Sequence, residues 1–269
     1  GEYWLTVKAP KKDPVPGTGQ ALFVRLGDDL LEIEESAVLY KDKVLDQMLV
    51  VDRSGSMDTM QGEVAPSLTT FIKDQSNGNT FITALKFDNY CERFIELERC
   101  TDVSISNSDL EPRGMTSLYQ AIGESIEYTN TIASNYNNII FVILTDGHEN
   151  SSQDKYKGEP GRLLVKEMIS SKEKTNNWSF FFLGANIDSQ AVGGSLGMRE
   201  GRCINYTPSS EGCSEAYRVC SQAVSRYRSG DVDAEFNDEE RQTSLPQPRL
   251  PRRRNAGGYN LRETRNKLN

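Results

Sequence analysis

Three oxygen donors at alternate positions, Asp52, Ser54 and Ser56, follow directly on the apolar run Leu49-Val50-Val51. A carboxylate and two hydroxyls, with no thiol or imidazole among them, suit Mg²⁺ or another hard divalent cation. Taken alone, the triplet reads equally well as a turn whose Asp or Ser caps the next helix. Two other stretches carry oxygens of the same kind. Pro112-Arg113-Gly114-Met115-Thr116-Ser117 precedes an apolar helical pattern, and Thr145-Asp146-Gly147-His148-Glu149-Asn150 follows a nearly all-apolar run.

The elements around these stretches read as an alternation of strands and helices. Residues 47–51, 80–87, 138–144 and 178–183 are β-branched, aromatic and apolar enough for strands, and residues 93–97 suit a partner for 80–87. Helical spacing runs through 58–74, 117–132, 162–174 and 213–227, with a short helix at 187–196 and a short edge strand at 203–206. Such alternation predicts a doubly wound α/β domain over 46–228 with a mostly parallel sheet flanked by helices. In that architecture ligands gather outside the carboxyl ends of the strands. The three oxygen-bearing stretches all lie at or near such ends.

The flanks differ from this middle. Residues 1–45 read as an N-terminal extension with short strands at 3–7 and 21–25, a Pro/Gly/Lys-rich loop at 9–19, and an ambiguous segment at 30–40. Residues 229–269 read as a polar, Pro/Arg-rich arm. Residues 249–269 hold seven basic side chains against one acidic, a charge of +6 that leaves −14 on the remainder of a chain of net charge −8. The arm is therefore expected to dock on an acidic surface. The acidic remainder argues against a general nucleic-acid binder, although Arg252, Arg253 and Arg254 form a basic cluster.

Five cysteines at irregular spacing, with no CxxC pair, predict free thiols and no structural zinc site. No run approaches the roughly 20 apolar residues of a membrane span, and no signal peptide is read. The expected setting is the cytoplasm or an intracellularly assembled particle, with secretion left open. Three sequons, at Asn150, Asn177 and Asn205, matter only in a secreted protein.

The constellation Asp52-Arg53-Ser54-Gly55-Ser56, then Thr116 in Gly-Met-Thr, then Asp146 in Thr-Asp-Gly, resembles the metal-ion-dependent adhesion site of von Willebrand factor A (vWA) domains, in order and in spacing. The resemblance covers roughly residues 46–228. It looks closest to bacterial and phage intracellular-type vWA proteins with Thr-Asp-Gly-x-Glu-Asn (residues 145–150) and Phe-Leu-Gly-Ala-Asn (residues 182–186). It implies that Ser54 and Ser56 coordinate Mg²⁺, or Mn²⁺ or Ca²⁺, through their hydroxyls. Thr116 would bind directly or through water, and Asp52 and Asp146 mostly through water. One position would stay open for a partner's Asp or Glu.

Other residues attract less specific readings. His148, the only histidine, is expected to be an exposed loop residue on the rim of the site. Glu149 and Asn150 either orient Asp146 or cap the following segment, and Asp188 caps a helix. Gly193-Gly194-x-x-Gly197 lies in a helix–loop region rather than between a strand and a helix, so it is a weak phosphate signal. Trp178 and residues 180–182 belong to the core. The expectation is a non-enzymatic, Mg²⁺-dependent protein-interaction module. The alternative is a structural component of a virion or filament anchored by its terminal extensions. A metal-assisted hydrolase is disfavoured, because no base pairs with a nucleophile in the sequence.

Overall fold

The computed structural model describes residues 22–26, 29–33, 45–76, 80–132, 138–175 and 177–243. Strands β1 (Leu22–Leu26) and β2 (Asp29–Ile33) pair antiparallel with each other as a two-stranded sheet. The expected strand at 3–7, the loop at 9–19 and the basic residues 249–269 lie outside the described residues.

The main sheet has six strands: β3 (Leu45–Asp52), β4 (Phe81–Phe87), β5 (Cys91–Arg99), β6 (Ile140–Thr145), β7 (Ser179–Gly184) and β8 (Cys203–Asn205). Their spatial order is β5-β4-β3-β6-β7-β8. All neighbouring pairs are parallel except β4 with β5, which are joined by the short turn at residues 88–90 and run antiparallel. Helices α1 (Val64–Asp74), α2 (Leu118–Ile132), α3 (Gly158–Thr175), α4 (Ser189–Ser195), α5 (Ser210–Arg228) and α6 (Asp238–Thr243) complete the domain.

The central strands are apolar on both faces because both faces are covered. On one face Leu49 and Val51 of β3, Val142 and Leu144 of β6, and Phe181 and Leu183 of β7 pack with Leu68 and Phe71 of α1 and Tyr217 and Cys220 of α5. On the other, Met48, Val50, Phe141, Ile143, Phe180 and Phe182 pack with Leu118, Ile122 and Ile126 of α2 and Val165 and Ile169 of α3. Trp178 and residues 180–182 are core, as expected. Gln47 is a polar exception on β3: it is fully buried and both atoms of its amide lack a partner among the described residues. Among the described residues no helix is long and apolar enough to cross a membrane.

Two expectations change. The helix expected at 58–74 is two elements, a short 3₁₀ turn at Gly55–Met60 and then α1 from Val64. Gly62, at φ +95°, breaks the helix between them. Pro66 falls in the first turn of α1, where its missing N–H costs nothing. The chain also does not leave the domain at residue 229. Ala234 and Phe236 are buried, and Phe236 lies edge-on to Phe181 with ring centroids 5.9 Å apart. The buried Arg202 holds this segment: it donates to the carbonyls of Val232 (2.6 Å) and Ala234 (3.1 Å) and to Ser179 Oγ (2.9 Å). Glu240 then pairs with Arg226 of α5 at 2.7 Å.

A chain ending at Ser229 is therefore expected to melt well below one ending at Thr243. Burial of Phe236 alone contributes about 2–3 kcal/mol, and the carbonyl partners of Arg202 are lost with it. Thermal unfolding of the two truncations measures the difference, and equal midpoints would show that residues 230–243 do not belong to the domain.

Candidate metal centre

The sheet reverses its winding between β3 and β6: from β3 the chain proceeds to β4 on one side and later returns to β6 on the other. Asp52 ends β3, and Asp146 follows β6 immediately. Both therefore lie at the switch point, where loops leave in opposite directions and a crevice opens. The parallel register pairs Val51 with Leu144, which sets Asp52 beside Thr145. Thr145 Oγ1 donates to Asp52 Oδ2 at 2.5 Å, and the Ser54 amide donates to Asp52 Oδ1 at 2.6 Å.

The hydroxyls gather next to this carboxylate. Ser54 Oγ and Ser56 Oγ are 3.1 Å apart, and Ser56 Oγ donates to Asp146 Oδ1 at 2.6 Å. Thr116 joins them at Gly147: a Cβ built on that glycine would lie 3.3 Å from Thr116 Oγ1 and 3.7 Å from Ser56 Oγ. The structure thus brings Asp52, Ser54, Ser56, Thr116 and Asp146 into one cluster, although 94 residues separate the first from the last.

The loops that carry these side chains are tied to one another by their backbones. The Gly55 amide donates to Gly114 O at 3.1 Å, and the Arg113 amide donates to Arg53 O at 2.8 Å. Asn89 Oδ1 accepts from the Met115 amide at 2.9 Å. Gly114, at φ +69°, lets the loop pass this close: a Cβ there would sit 2.3 Å from Asn89 Oδ1. Asn150 Oδ1 accepts from the Thr116 amide at 2.8 Å, while the Asn150 amide returns a bond to Thr116 O at 2.9 Å. Glu149 receives the Tyr119, Ser151 and Ser152 amides, so it caps the start of α2 as well as its own loop. Asp188 caps α4 by accepting from the Ala191 amide.

A ring of charge fastens the same loops from below. The Arg53 and Arg113 guanidiniums both contact Asp88 Oδ2 (3.1 and 2.6 Å) and Glu92 Oε1 (2.9 and 3.0 Å). Burial raises the Asp88 carboxyl, but the Arg113 hydrogen bond, the Tyr90 amide and the Arg53 charge outweigh it and hold the group below its usual range. The sequence reading singled out neither this ring nor Thr145 and Asn89. Arg53 occupies the variable position of the Asp-x-Ser-x-Ser triplet, and its partners come from the turn after β4 and from β5, so sequence spacing carries no signal for it.

His148 is exposed on the same loop. Gly193 serves packing rather than phosphate: a Cβ would meet Cys203 Sγ at 2.3 Å. The five cysteines are free, and four are buried. Burial pushes the Cys203 and Cys213 thiols up to about 12.

The donor set fits a hard cation. Every candidate ligand atom is oxygen. Asp146 Oδ2 is buried with no hydrogen-bond partner among the described residues. Neither Asp52 nor Asp146 forms an ion pair with an Arg or Lys among the described residues, since Arg53 and Arg113 engage Asp88 and Glu92 instead. Burial pushes the Asp52 carboxyl up to about 6, helped by the nearby Asp146 charge and opposed by its Thr145 and Ser54 hydrogen bonds. Burial also raises Asp146. Two carboxylates raised by burial in this way would gain from a divalent charge nearby.

No family model matches the chain, and no curated protein matches it. Solved structures resemble it. The vWF domain of the type V pilus tip protein Mfa5 from Porphyromonas gingivalis superposes with a TM-score of 0.51 at 12% identity, covering 68% of this chain and 95% of that one. The ArnB paralog VWA2 from Sulfolobus acidocaldarius gives 0.49 at 16% identity, and this chain spans only 45% of its length while 67% of this chain is covered. Manganese-loaded TRAP from Plasmodium vivax gives 0.46 at 21%, covering 65% and 72% of the two chains. The Mfa5 likeness establishes the vWA fold and does not select the bacterial or phage intracellular subtype.

In the metal-free protein the Asp52 carboxyl titrates higher folded than unfolded. Its contribution to stability is therefore greatest below pH 4 and is lost as the pH rises towards about 6. The change is on the order of 3 kcal/mol. Asp52→Asn keeps an acceptor for the Ser54 amide and is expected to flatten that dependence. Chemical denaturation between pH 4 and 7.5 in EDTA measures it, and parallel curves for the two proteins would exclude Asp52 as the source.

Proposed function

We propose that this vWA fold is a non-enzymatic interaction module that takes a divalent cation, Mg²⁺ by preference, among Asp52, Ser54, Ser56, Thr116 and Asp146, and through it holds an Asp or Glu of a protein partner. The observation that carries the reading is Asp146 Oδ2, buried and unpartnered among the described residues, in a carboxylate whose other oxygen already accepts from Ser56. The pilus tip role in the name of Mfa5, a protein of the same fold, supports an adhesive reading.

The chain's own groups divide the work. Ser54, Ser56 and Thr116 offer neutral hydroxyls, which satisfy coordination without cancelling charge. Asp52 and Asp146 supply the negative charge, and Thr145, the Ser54 amide and Ser56 hold those carboxylates in place. A bound cation supplies a Lewis-acidic position that a partner carboxylate can complete. Binding rather than catalysis is our reading because the sequence pairs no base with a nucleophile, and His148 is exposed on the loop that carries Asp146. We assign residues 249–269, outside the described residues, to an acidic docking surface on account of their seven basic side chains.

Mg²⁺ is expected to raise the thermal midpoint of the full chain and EDTA to reverse it. Ser54→Ala and Thr116→Ala should each weaken Mg²⁺ binding by at least about tenfold in calorimetry while leaving the metal-free midpoint within a few degrees. Unchanged Mg²⁺ affinity in both variants would remove these hydroxyls from the site. Partner capture that is the same in Mg²⁺ and EDTA would end the cation-bridge reading.

A further inference from the structure

We infer that the module reads its partner's carboxylate together with an adjacent aromatic side chain, using Tyr90 and Met115 on the rim of the Asp52–Asp146 cluster; the inference rests on the cation-bridged reading above.

Four large apolar side chains are exposed among the described residues: Tyr90 at 70%, Met115 at 49%, Leu163 at 50% and Val232 at 64%. Singly exposed residues of this kind are ordinary. Two of the four, however, stand on loops that touch each other beside the candidate metal centre. Met115 directly precedes Thr116, and its amide is held by Asn89, the residue before Tyr90. The Tyr90 turn closes on itself: the Tyr90 amide donates to Asp88 Oδ1 at 2.9 Å and the Asp88 amide to Tyr90 O at 3.0 Å. The Ser117 amide and hydroxyl then donate to Asp88 O at 3.0 and 2.6 Å, which locks that turn to the Thr116 segment. Arg113 adds its two contacts to Asp88 and Glu92.

The backbone under both side chains is therefore fixed before any partner arrives, so only the side-chain rotamers remain to be ordered on binding. Tyr and Met are also the residue types enriched at protein interfaces. The carboxylate requirement follows from the cluster, and the second requirement follows from the rim. Carboxylate capture alone would accept any acidic surface, whereas an exposed tyrosine ring and a polarisable thioether beside it select an aromatic neighbour through ring–ring and sulfur–ring contact. The partner of this chemistry is a protein segment with Asp or Glu next to Phe, Tyr or Trp.

The test uses the full chain with ¹³C-methyl methionine, the Met115 signal being assigned with Met115→Leu. Blocked tetrapeptides containing Phe-Glu, Glu-Phe, Gly-Glu and Phe-Gln are titrated in Mg²⁺ and in EDTA. The expected result is that the better of the two Phe/Glu peptides shifts the Met115 methyl and binds at least about fivefold more tightly than the Gly-Glu peptide, only in Mg²⁺, while Phe-Gln does not bind. Tyr90→Ser with Met115→Ser should abolish that advantage and leave Mg²⁺ affinity and Gly-Glu binding unchanged. Equal affinity of all three Glu peptides in Mg²⁺ would overturn the inference and leave the cation bridge standing. An advantage that survives the double substitution would overturn the assignment to Tyr90 and Met115. Glu peptides that bind no better in Mg²⁺ than in EDTA would overturn the cation bridge itself, and this inference with it.

Discussion

The in-register parallel pairing of β3 with β6 is the constraint on which the rest of the site depends. It sets Asp52 beside Thr145 and leaves Asp146 one residue beyond the strand end. Two buried carboxylates are thereby committed to the same strand ends, and burial raises both. The fold answers with neutral donors, namely Thr145, Ser56 and the Ser54 amide. The available guanidiniums go elsewhere: Arg53 and Arg113 are bound to Asp88 and Glu92. An arginine placed on Asp52 would have relieved the strain permanently and closed the site. Its place on the neighbouring ring leaves the two buried carboxylates without an ion-pair partner among the described residues.

That ring explains how five donors from three loops can hold one geometry. Loops of this kind are ordinarily the mobile part of a domain. Here the segment at residues 112–116 is bonded through its backbone to Arg53 and Gly55 on one side, through the Met115 amide to Asn89, and through Thr116 to Asn150 on the other. Glu149 extends the lock to the first turn of α2, whose amides need an acceptor in any case. Sheet, helix end and loops are thus joined by groups that are not themselves donors to the cluster. Position is set by backbone bonds, so the Ser54, Ser56 and Thr116 hydroxyls are not needed to tie the loops together.

The sequence disclosed the site better than it disclosed its supports. Hydrophobic runs and helical spacing located the six strands and the long helices within a few residues, because central strands covered on both faces must be apolar throughout. Oxygen donors at strand ends were legible for a related reason: polar side chains immediately after a buried strand have little structural purpose beyond capping. The supports were hidden because they are relational. Arg53, Asp88, Glu92 and Arg113 are each unremarkable surface residues by type, and only the turn joining β4 to β5 brings them together. The break at Gly62 was masked by Met60, Val64 and Leu68, which keep an apolar helical period across it. The segment 230–243 looked like a polar arm because its composition is polar. Two side chains, Ala234 and Phe236, with the buried Arg202 between sheet and segment, suffice to hold it down.

The choice of hydroxyls over further carboxylates has a consequence for partner recognition. With a third and fourth acidic ligand the cluster would carry a net negative charge even when filled, and another carboxylate would be repelled. With two acids and three hydroxyls a divalent charge would be balanced but not exceeded, so under the proposed function an incoming Asp or Glu would meet no excess of like charge. The chain as a whole carries −8. An acidic partner approaching this surface without the cation would therefore face long-range repulsion, screened beyond about 8–10 Å at physiological salt, as well as two buried carboxylates at the contact. Under the proposed function a bound cation would cancel the two carboxylate charges at that point and remove the local part of the repulsion. The same electrostatics that make the two buried carboxylates costly to the fold would thus, under the proposed function, make association with an acidic partner depend on the cation.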